Sequence, residues 1–332
     1  MWFESNKRDL PWRRTRDPYQ IWVSEIMLQQ TSVAVVIDYF NAWIDRFPTV
    51  LALANSTEEE VLCVWQGLGY YQRCINLLHA SRQILDQGMP ETYEQWLDTI
   101  GVGRYTAAAI SSIAYREPQA SVDGNVKRVF ARYTENSSTG SALESQARQW
   151  AQNTIDRLNP GDWNQAMMEL GATICTPNTP KCGLCPISTG CCADRNGTVS
   201  QFPMVQPRRA PVQLTLRFKI FVRNTGNEYE LAMVQMKSSR WWKNMYGLPN
   251  CDGNSLALNS LQVGPIKHTV TNHQLTLFGH LMCPDDMTVE ELNSAVWVPI
   301  RNRSVVPIPS AFEKIIKEFE FKLVSCQPQL KL

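Results

Sequence analysis

The sequence predicts a two-domain protein in which an all-α domain precedes an α+β domain. The chain has 332 residues, and compact domains usually contain about 100 to 200 residues. Up to about Arg195 the apolar residues recur at helical spacing. After a polar, proline-bearing segment, runs such as "QLTLRFKIFVRN" and "HQLTLFGHLMC" are typical of strands. We therefore expect domains at 1–195 and 213–332, joined by a linker at 196–212.

Local signals support both halves of this prediction. In the first domain, Thr57 followed by Glu60 is a capping box that begins a helix, and Gly67 with Gly69 ends it. In the second, "YELAMVQMK" and "AVWVPI" add two strands, and "SAFEKIIKEFEF" is a closing helix. The second domain is therefore expected to have a mixed or antiparallel sheet.

Composition excludes several classes of protein. Hydrophobic residues make up 44% and charged residues 19% of the chain, which does not fit global disorder or a fibrous protein. The N-terminus is charged and lacks an apolar signal region, and no run of about 18 apolar residues follows. The net charge is only +1, so any nucleic-acid binding must use a local basic patch, such as "NKRDLPWRRTR".

Four cysteines fall within one short segment, "CTPNTPKCGLCPISTGC". They have the spacing C-x6-C-x2-C-x5-C, and they are Cys175, Cys182, Cys185 and Cys191. In a reducing compartment such a cluster indicates a metal centre rather than disulfides. Four thiolates hold zinc or an iron–sulfur cluster, and the spacing alone leaves both open.

A glycine turn and two carboxylates are the other candidates for a functional site. Gly101 and Gly103 precede a helix of small residues, and a helix N-terminus offers free backbone donors to a phosphate. Asp123 stands before Gly-Asn and a helix, where it is either a functional group or only an N-cap. Glu25 lies in an apolar helix, where a carboxyl has a raised pKa unless a buried salt bridge holds it.

Taken together, these motifs resemble the helix-hairpin-helix, iron–sulfur DNA glycosylases, and among them the MutY-type adenine DNA glycosylases. The resemblance covers Leu10 to Cys191 and rests on seven ordered motifs: "LPWR", "YQIWVSEIMLQQT", "WQGLGYYQR", "GVGRYTAAAI", "VDGNVKRV", "NQAMMELGATIC" and the cysteine loop. It implies a 4Fe-4S cluster and two helical subdomains around an active cleft. The implied partner is double-stranded DNA in which adenine, mispaired with 8-oxoguanine or guanine, is flipped out. A monomer in the cytoplasm, at the nucleoid if the source is bacterial, is expected.

The resemblance also implies a role for individual residues. Glu25 corresponds to the general acid that protonates adenine, Asp123 to the group that stabilises or bonds the sugar, and Asn125 and Tyr105 to residues around that sugar. The adenine pocket corresponds to Trp12, Arg13, Leu28 and Glu169. The residues that enter the duplex correspond to Gln30, Thr31, Leu68 and Tyr70, and those that hold the DNA backbone to Gly101, Val102 and Gly103.

Tyr105 distinguishes two branches of the resembled family. The endonuclease III branch has a lysine here, whose amine forms a Schiff base and cuts the strand. Because a phenol forms no Schiff base, we expect a monofunctional glycosylase. The alternatives are an endonuclease III-like pyrimidine-damage glycosylase with lyase activity and a non-catalytic module that scans DNA.

The second domain is expected to be Nudix-like and to recognise 8-oxoguanine. It has no G-x5-E-x7-R-E box between residues 213 and 332, so pyrophosphate hydrolysis is not expected. Where the family has an H-x-F-S-H loop, this chain has "KHTVTNHQ". His268, Thr271 and Asn272 are the expected lesion contacts, and the alternative for this segment is a plain β-turn.

Overall fold

The computed structural model describes residues 2–204, 210–226, 228–251 and 261–325. The chain forms two compact units: Met1–Asn55 with Asn76–Arg208, and Ser56–Ile75 with Arg209–Leu332. One boundary falls inside the predicted linker. The segment Ser56–Ile75 lies in the predicted helical domain in sequence but groups with the second unit. The domain boundaries proposed from the sequence stay a prediction.

The described residues up to Arg195 contain helices and no strand, which confirms the predicted helical region. Its helices are α1 (Trp2–Asn6), α2 (Pro18–Met27), α3 (Val33–Arg46), α4 (Val50–Ala54), α5 (Glu58–Trp65), α6 (Gln72–Gln87), α7 (Tyr93–Leu97), α8 (Arg104–Tyr115), α9 (Gly124–Tyr133), α10 (Gly140–Thr154), α11 (Pro160–Thr173) and α12 (Cys192–Arg195).

A helix–hairpin–helix is formed by α7, a tight turn and α8. Gly101 in the turn has φ +75°, which L side chains rarely adopt. A Cβ at Gly101 would also lie 2.7 Å from Cβ of Asn76. The helix α8 then packs closely on its neighbours because Ala107, Ala108 and Ala109 are all buried. The turn is therefore tight enough that only glycine fits at position 101.

Helices α9, α10 and α11 pack around one apolar core. Asp123 caps α9 by accepting a hydrogen bond from Val126 N at 2.8 Å. Val126, Ala147 and Leu170 are at most 2% exposed. This packing holds the start of α9 against the middle of α11, and both helices contribute to the candidate site.

The second unit is built on a six-stranded mixed sheet, as predicted. Five strands follow the order β3-β2-β1-β5-β4, and β6 pairs with β2. The pair β1–β5 is parallel, and the other pairs are antiparallel. The strands are β1 (Val212–Asn224), β2 (Tyr229–Gln235), β3 (Tyr246–Gly247), β4 (Gln262–Val270), β5 (His273–Met282) and β6 (Ala295–Pro299).

Two further helices, α13 (Val289–Ser294) and α14 (Ser310–Ser325), follow in the second unit. On α14, Phe312 and Phe319 are fully buried, and the Phe312 ring packs edgewise on Phe218 of β1 at 4.8 Å between centroids. The hydrophobic core of this unit therefore lies between α14 and the sheet. No helix in the described ranges has the length and apolar character needed to cross a bilayer.

Candidate active site

A cavity of about 820 Å³ lies in the first unit and is lined by residues from α2, α3, α8, α9, α10 and α11. Glu25 on α2, Tyr105 on α8, Asp123 before α9 and Asn125 on α9 all line it. Glu25, Tyr105 and the Asp123–Asn125 pair are distant from one another in sequence, and the fold brings them to one cavity. The cavity volume is within the usual range for small-molecule sites, about 300–1,000 Å³.

Glu25 is the most perturbed carboxyl group in this cavity. It is only 5% exposed, and its Oε2 atom has no hydrogen-bond partner within the described residues. Burial raises its pKa to about 7, opposed by hydrogen bonding from Tyr105 and assisted by the nearby charge of Asp123. A carboxyl with this pKa carries a proton for much of the time at neutral pH, as a general acid requires.

Tyr105 interacts with both acids of the site. Its hydroxyl is 3.6 Å from Sδ of Met168 and also hydrogen-bonds with the Glu25 carboxyl. Burial, together with the charges of Glu25 and Asp123, raises the pKa of the phenol well above its ordinary value. Tyr105 therefore stays neutral and donates its proton to a neighbouring acceptor.

Asp123 is held in place from two sides. Its Oδ1 accepts the bond from Val126 N, and its Oδ2 accepts a bond of 2.8 Å from Nδ2 of Asn125. Burial raises its pKa, although these hydrogen bonds work in the opposite direction. The sequence left open whether Asp123 is a helix cap or a functional group; it caps α9 and also lines the cavity.

Arg128 fixes the orientation of Asn125, and the sequence did not single it out. Its Nη2 donates to Asn125 Oδ1 and to the carbonyl of Gly171, and its Nε donates to the carbonyl of Cys175, each at 2.8 Å. Gly171 on α11 lies so close that a Cβ there would be 2.4 Å from Cβ of Asn125. Arg128 lies in the quoted motif "VDGNVKRV", but the sequence does not reveal its three hydrogen-bond partners.

A buried ion-pair cluster lies beside the cavity, which Arg8 and Arg13 line and Glu169 does not. Glu169 on α11 is 0% exposed, and its oxygens accept from Arg8 Nε at 2.7 Å and from Arg13 Nη2 at 2.7 Å. Burial opposes ionisation of Glu169, but the bonds from Arg8 and Arg13 outweigh it and hold the pKa below its ordinary value. The sequence predicted Arg13 and Glu169 and missed Arg8, whose only signal is its place in "NKRDLPWR".

The remaining predicted pocket residues divide into two groups. Trp12, 7% exposed with its ring against Phe40, and Leu28 at the end of α2 line the cavity. So do Gln30, which is exposed with φ +58°, and Thr31. Gly103 also lines the cavity. Four other predicted DNA contacts do not, and they are Leu68, Tyr70, Gly101 and Val102.

The chain is similar in sequence to known DNA-repair proteins. Residues 23–153 match the family described as "HhH-GPD superfamily base excision DNA repair protein". A human adenine DNA glycosylase is 45% identical over 57% of this chain and 37% of its own length. The adenine DNA glycosylase of Buchnera aphidicola subsp. Schizaphis graminum is 28% identical over 96% of both chains.

Residues 23–153 belong to the HhH-GPD superfamily, and the whole chain is similar to adenine DNA glycosylases of the MutY type. It spans less than half the length of the human, rat and mouse relatives that it matches, 37%, 42% and 40% respectively. Among solved structures, a thermostable thymine-DNA glycosylase is similar with a TM-score of 0.54 and 27% identity, over 59% of this chain and 92% of the other. An endonuclease III–DNA complex, at TM-score 0.51 and 21% identity over 59% and 91%, agrees in fold.

The four clustered cysteines of this chain line one small cavity, together with buried Arg132. Arg132 Nη1 lies 3.3 Å from Sγ of Cys175 and also donates to the carbonyl of Thr176. No group of three or more His, Cys, Asp or Glu side chains in the described ranges is arranged to hold a metal ion. The four thiols therefore line one cavity, and the metal centre that they would hold stays a prediction.

The predicted lesion contacts lie on a β-hairpin of the second unit. His268 is on β4, and the turn between β4 and β5 is formed by Thr271, with φ +54°, and Asn272. Both turn residues are exposed, and His273 directly after them is buried. The segment is therefore a two-residue β-turn, and a role for its side chains in recognising a base stays a prediction.

Proposed function

We propose that this protein is a monofunctional adenine DNA glycosylase of base excision repair. It hydrolyses the N-glycosidic bond of adenine mispaired with 8-oxoguanine or guanine in double-stranded DNA. The observation that carries the proposal is Glu25: a buried carboxyl with a pKa of about 7, lining the same cavity as Asp123. The adenine glycosylase names of the relatives support the choice of base.

The two acids perform different steps in this mechanism. Glu25 donates its proton to the five-membered ring of the flipped adenine, so that the base departs as a neutral molecule. Asp123 then faces the positive charge that develops on the sugar and stabilises it, as the second carboxylate of a retaining glycosidase does. Asn125 and Val126 N hold the Asp123 carboxylate, and Tyr105 holds Glu25. Water completes the hydrolysis.

The Arg8–Glu169–Arg13 cluster is the proposed adenine-recognition wall. Its guanidinium and carboxylate groups are fixed to one another, so they keep their orientation when the site is empty. Trp12 and Leu28 supply apolar surface beside them. Preorganised polar groups in an apolar pocket give selectivity for one base because a wrong base leaves them unpaired.

Tyr105 supports a reaction that stops at the abasic site. Strand cleavage by the lyase route needs an amine that bonds covalently to the sugar. Tyr105 occupies the position where the endonuclease III branch has that amine, and it presents a neutral phenol to Glu25. We therefore propose an intact abasic strand as the product.

A 4Fe-4S cluster is proposed for the loop that contains Cys175, Cys182, Cys185 and Cys191. These four thiols around one cavity are a suitable donor set. Such a cluster would tie the loop together and add negative charge, and buried Arg132 offers a compensating positive charge. For the second unit we propose a Nudix-like fold that contacts 8-oxoguanine through His268, Thr271 and Asn272, with the monomer as the active form.

The reaction is tested with an end-labelled duplex that contains one A:8-oxoguanine pair. After single-turnover incubation, hot alkali should break the labelled strand at the adenine, and no break should appear without alkali. Matched duplexes with A:G and A:T pairs test the choice of mispair. Absence of an alkali-dependent break would refute the proposal, and a break without alkali would refute only the assignment from Tyr105.

A further inference from the structure

One loop of the second unit is rigidly anchored and projects beside the predicted lesion hairpin. The loop 236–245 connects β2 to β3 and contains "MKSSRWWKNM". Trp242 N donates to Ser239 Oγ at 3.1 Å. The Trp242 side chain is 5% exposed and packs on Phe312 with 5.0 Å between ring centroids. The hydrophobic core thus fixes the conformation of this loop.

Trp241, next to this anchor, joins the loop to the hairpin turn. Its indole is partly exposed and meets the His273 ring edgewise at 5.1 Å between centroids. His273 directly follows the exposed turn residues Thr271 and Asn272. The loop and the hairpin turn therefore form one continuous surface with an aromatic ring at its centre.

The loop that contains this ring also carries three cationic side chains. Lys237, Arg240 and Lys243 are exposed, and the Arg240 guanidinium lies 5.9 Å from the centre of the Trp241 ring. None of the three makes an ion pair with a carboxylate in the described part of the chain. By contrast, Lys219 of the same sheet is paired with Glu291 at 2.7 Å. The loop thus presents three cations that have no ion-pair partner among the residues that the structure describes.

We infer that this loop surface, formed by Lys237, Arg240, Trp241, Lys243 and the Thr271–Asn272 turn, binds DNA. The three cations contact phosphates of one strand, and the indole stacks on a base of that strand. Unpaired cations beside an aromatic face are the combination that single strands and unstacked bases require. The inference rests on the proposed function, which supplies duplex DNA with a disrupted base stack as the ligand.

The first test measures DNA binding by the full chain over a range of salt concentrations. Each phosphate contact contributes about 0.9 to the slope of log K against log salt. Lys237→Gln, Arg240→Gln and Lys243→Gln combined should therefore lower the slope by about 2 to 3. The matched control, Lys314→Gln, Lys317→Gln and Lys322→Gln on α14, removes the same charge and should lower it by less than about 1. An unchanged slope in the loop variant, or an equal loss in both variants, would overturn the inference.

The second test concerns the indole. Trp241→Ala should weaken binding to the A:8-oxoguanine duplex about tenfold, whereas Trp241→Phe should keep most of the affinity because it retains an aromatic face. Equal affinity of the wild type and of both variants would exclude stacking. Adenine excision is measured on the same duplex. Wild-type binding without excision would refute the proposed function alone, and normal excision with unaffected loop variants would refute this inference alone.

Discussion

Glu25 and Glu169 are both buried carboxyl groups next to the same cavity, yet their pKa values move in opposite directions. Glu169 is 0% exposed and Glu25 is 5% exposed. Glu169 accepts hydrogen bonds from two arginines and has a lowered pKa. Glu25 accepts a hydrogen bond from the Tyr105 hydroxyl, and burial raises its pKa to about 7 although the charge of Arg13 acts in the opposite direction. Burial alone therefore does not determine the protonation state; the charge of the neighbouring groups does.

The opposite pKa shifts give the two residues different roles: Glu169 is proposed to take part in binding, and Glu25 in the reaction. An ionised Glu169 keeps Arg8 and Arg13 in place, because its carboxylate accepts hydrogen bonds from both guanidinium groups. A protonated Glu25 holds a hydrogen that is ready for transfer, because burial outweighs the hydrogen bond from Tyr105 and the charge of Arg13. The same residue type thus gives a recognition wall and a general acid.

The largest effect is expected from Glu25→Gln. The amide has the same shape as the carboxylic acid but does not release a proton, so single-turnover adenine excision should fall about 10³-fold. DNA binding should be retained. Excision within tenfold of the wild type would mean that Glu25 is buried for packing and that its raised pKa serves no chemistry.

Glu169→Gln should mainly reduce stability. It leaves the Arg8 and Arg13 guanidinium groups without their counter-charge, and breaking a buried ion pair on one side costs about 3 kcal/mol. Urea unfolding should show this as a lower midpoint. If the variant unfolds like the wild type while excision is lost, Glu169 acts only in recognition. The claim that its ion pairs stabilise the fold would then be wrong.

The pH dependence should differ between the two groups in sign. Because the folded-state pKa of Glu25 is raised to about 7, its contribution to stability is complete below its ordinary pKa and is lost as the pH rises through about 7. The excision rate should fall over the same range, as the acid loses its proton. Because the pKa of Glu169 is lowered, this residue stabilises the folded protein at a pH above its ordinary pKa. That stabilisation is lost as the pH falls through its folded-state pKa. Urea unfolding at about pH 5 and pH 8 measures this, and Glu25→Gln should remove the loss between those two values.

The smallest effect is expected at Glu144, a partly exposed carboxylate that also has two cations. It pairs with Lys127 and Arg148, and its side chain is 39% exposed. Solvent screens such pairs, so Glu144→Gln should cost only about 0.5 kcal/mol in urea unfolding. A loss as large as that of Glu169→Gln would show that the number of cationic partners matters more than burial.

Much of the fold was predictable because local signals agreed with the tertiary structure. The capping box at the start of α5 forms as expected, with Thr57 N donating to Glu60 and Glu60 N to Thr57. Strand β4 was missed because "QVGPIKHTV" contains a glycine and a proline. The structure accommodates them with an irregularity in register between Val263 and Ile266.

Most residues that line the site were predictable from the sequence, whereas several of the hydrogen bonds that hold them were not. Sequence patterns placed Glu25 in an apolar helix and Asp123 at a helix start. They did not reveal that Arg8 completes the ion pair of Glu169, or that Arg128 contacts Asn125 and the carbonyl of Cys175. Arg8 and Glu169, and likewise Arg128 and Cys175, are more than 40 positions apart in the sequence. A local sequence pattern does not predict contacts of this kind.

Gly171 bears on how inherited changes in this protein are interpreted. Gly171 has no side chain that could take part in the reaction. A search limited to charged and aromatic residues would therefore overlook it. Yet replacing one hydrogen with a methyl group would bring that carbon to 2.4 Å from Cβ of Asn125, whose amide holds Asp123. An alanine variant at Gly171 therefore belongs with the damaging alleles, whereas loss of a charge at Glu144 belongs with the tolerated ones.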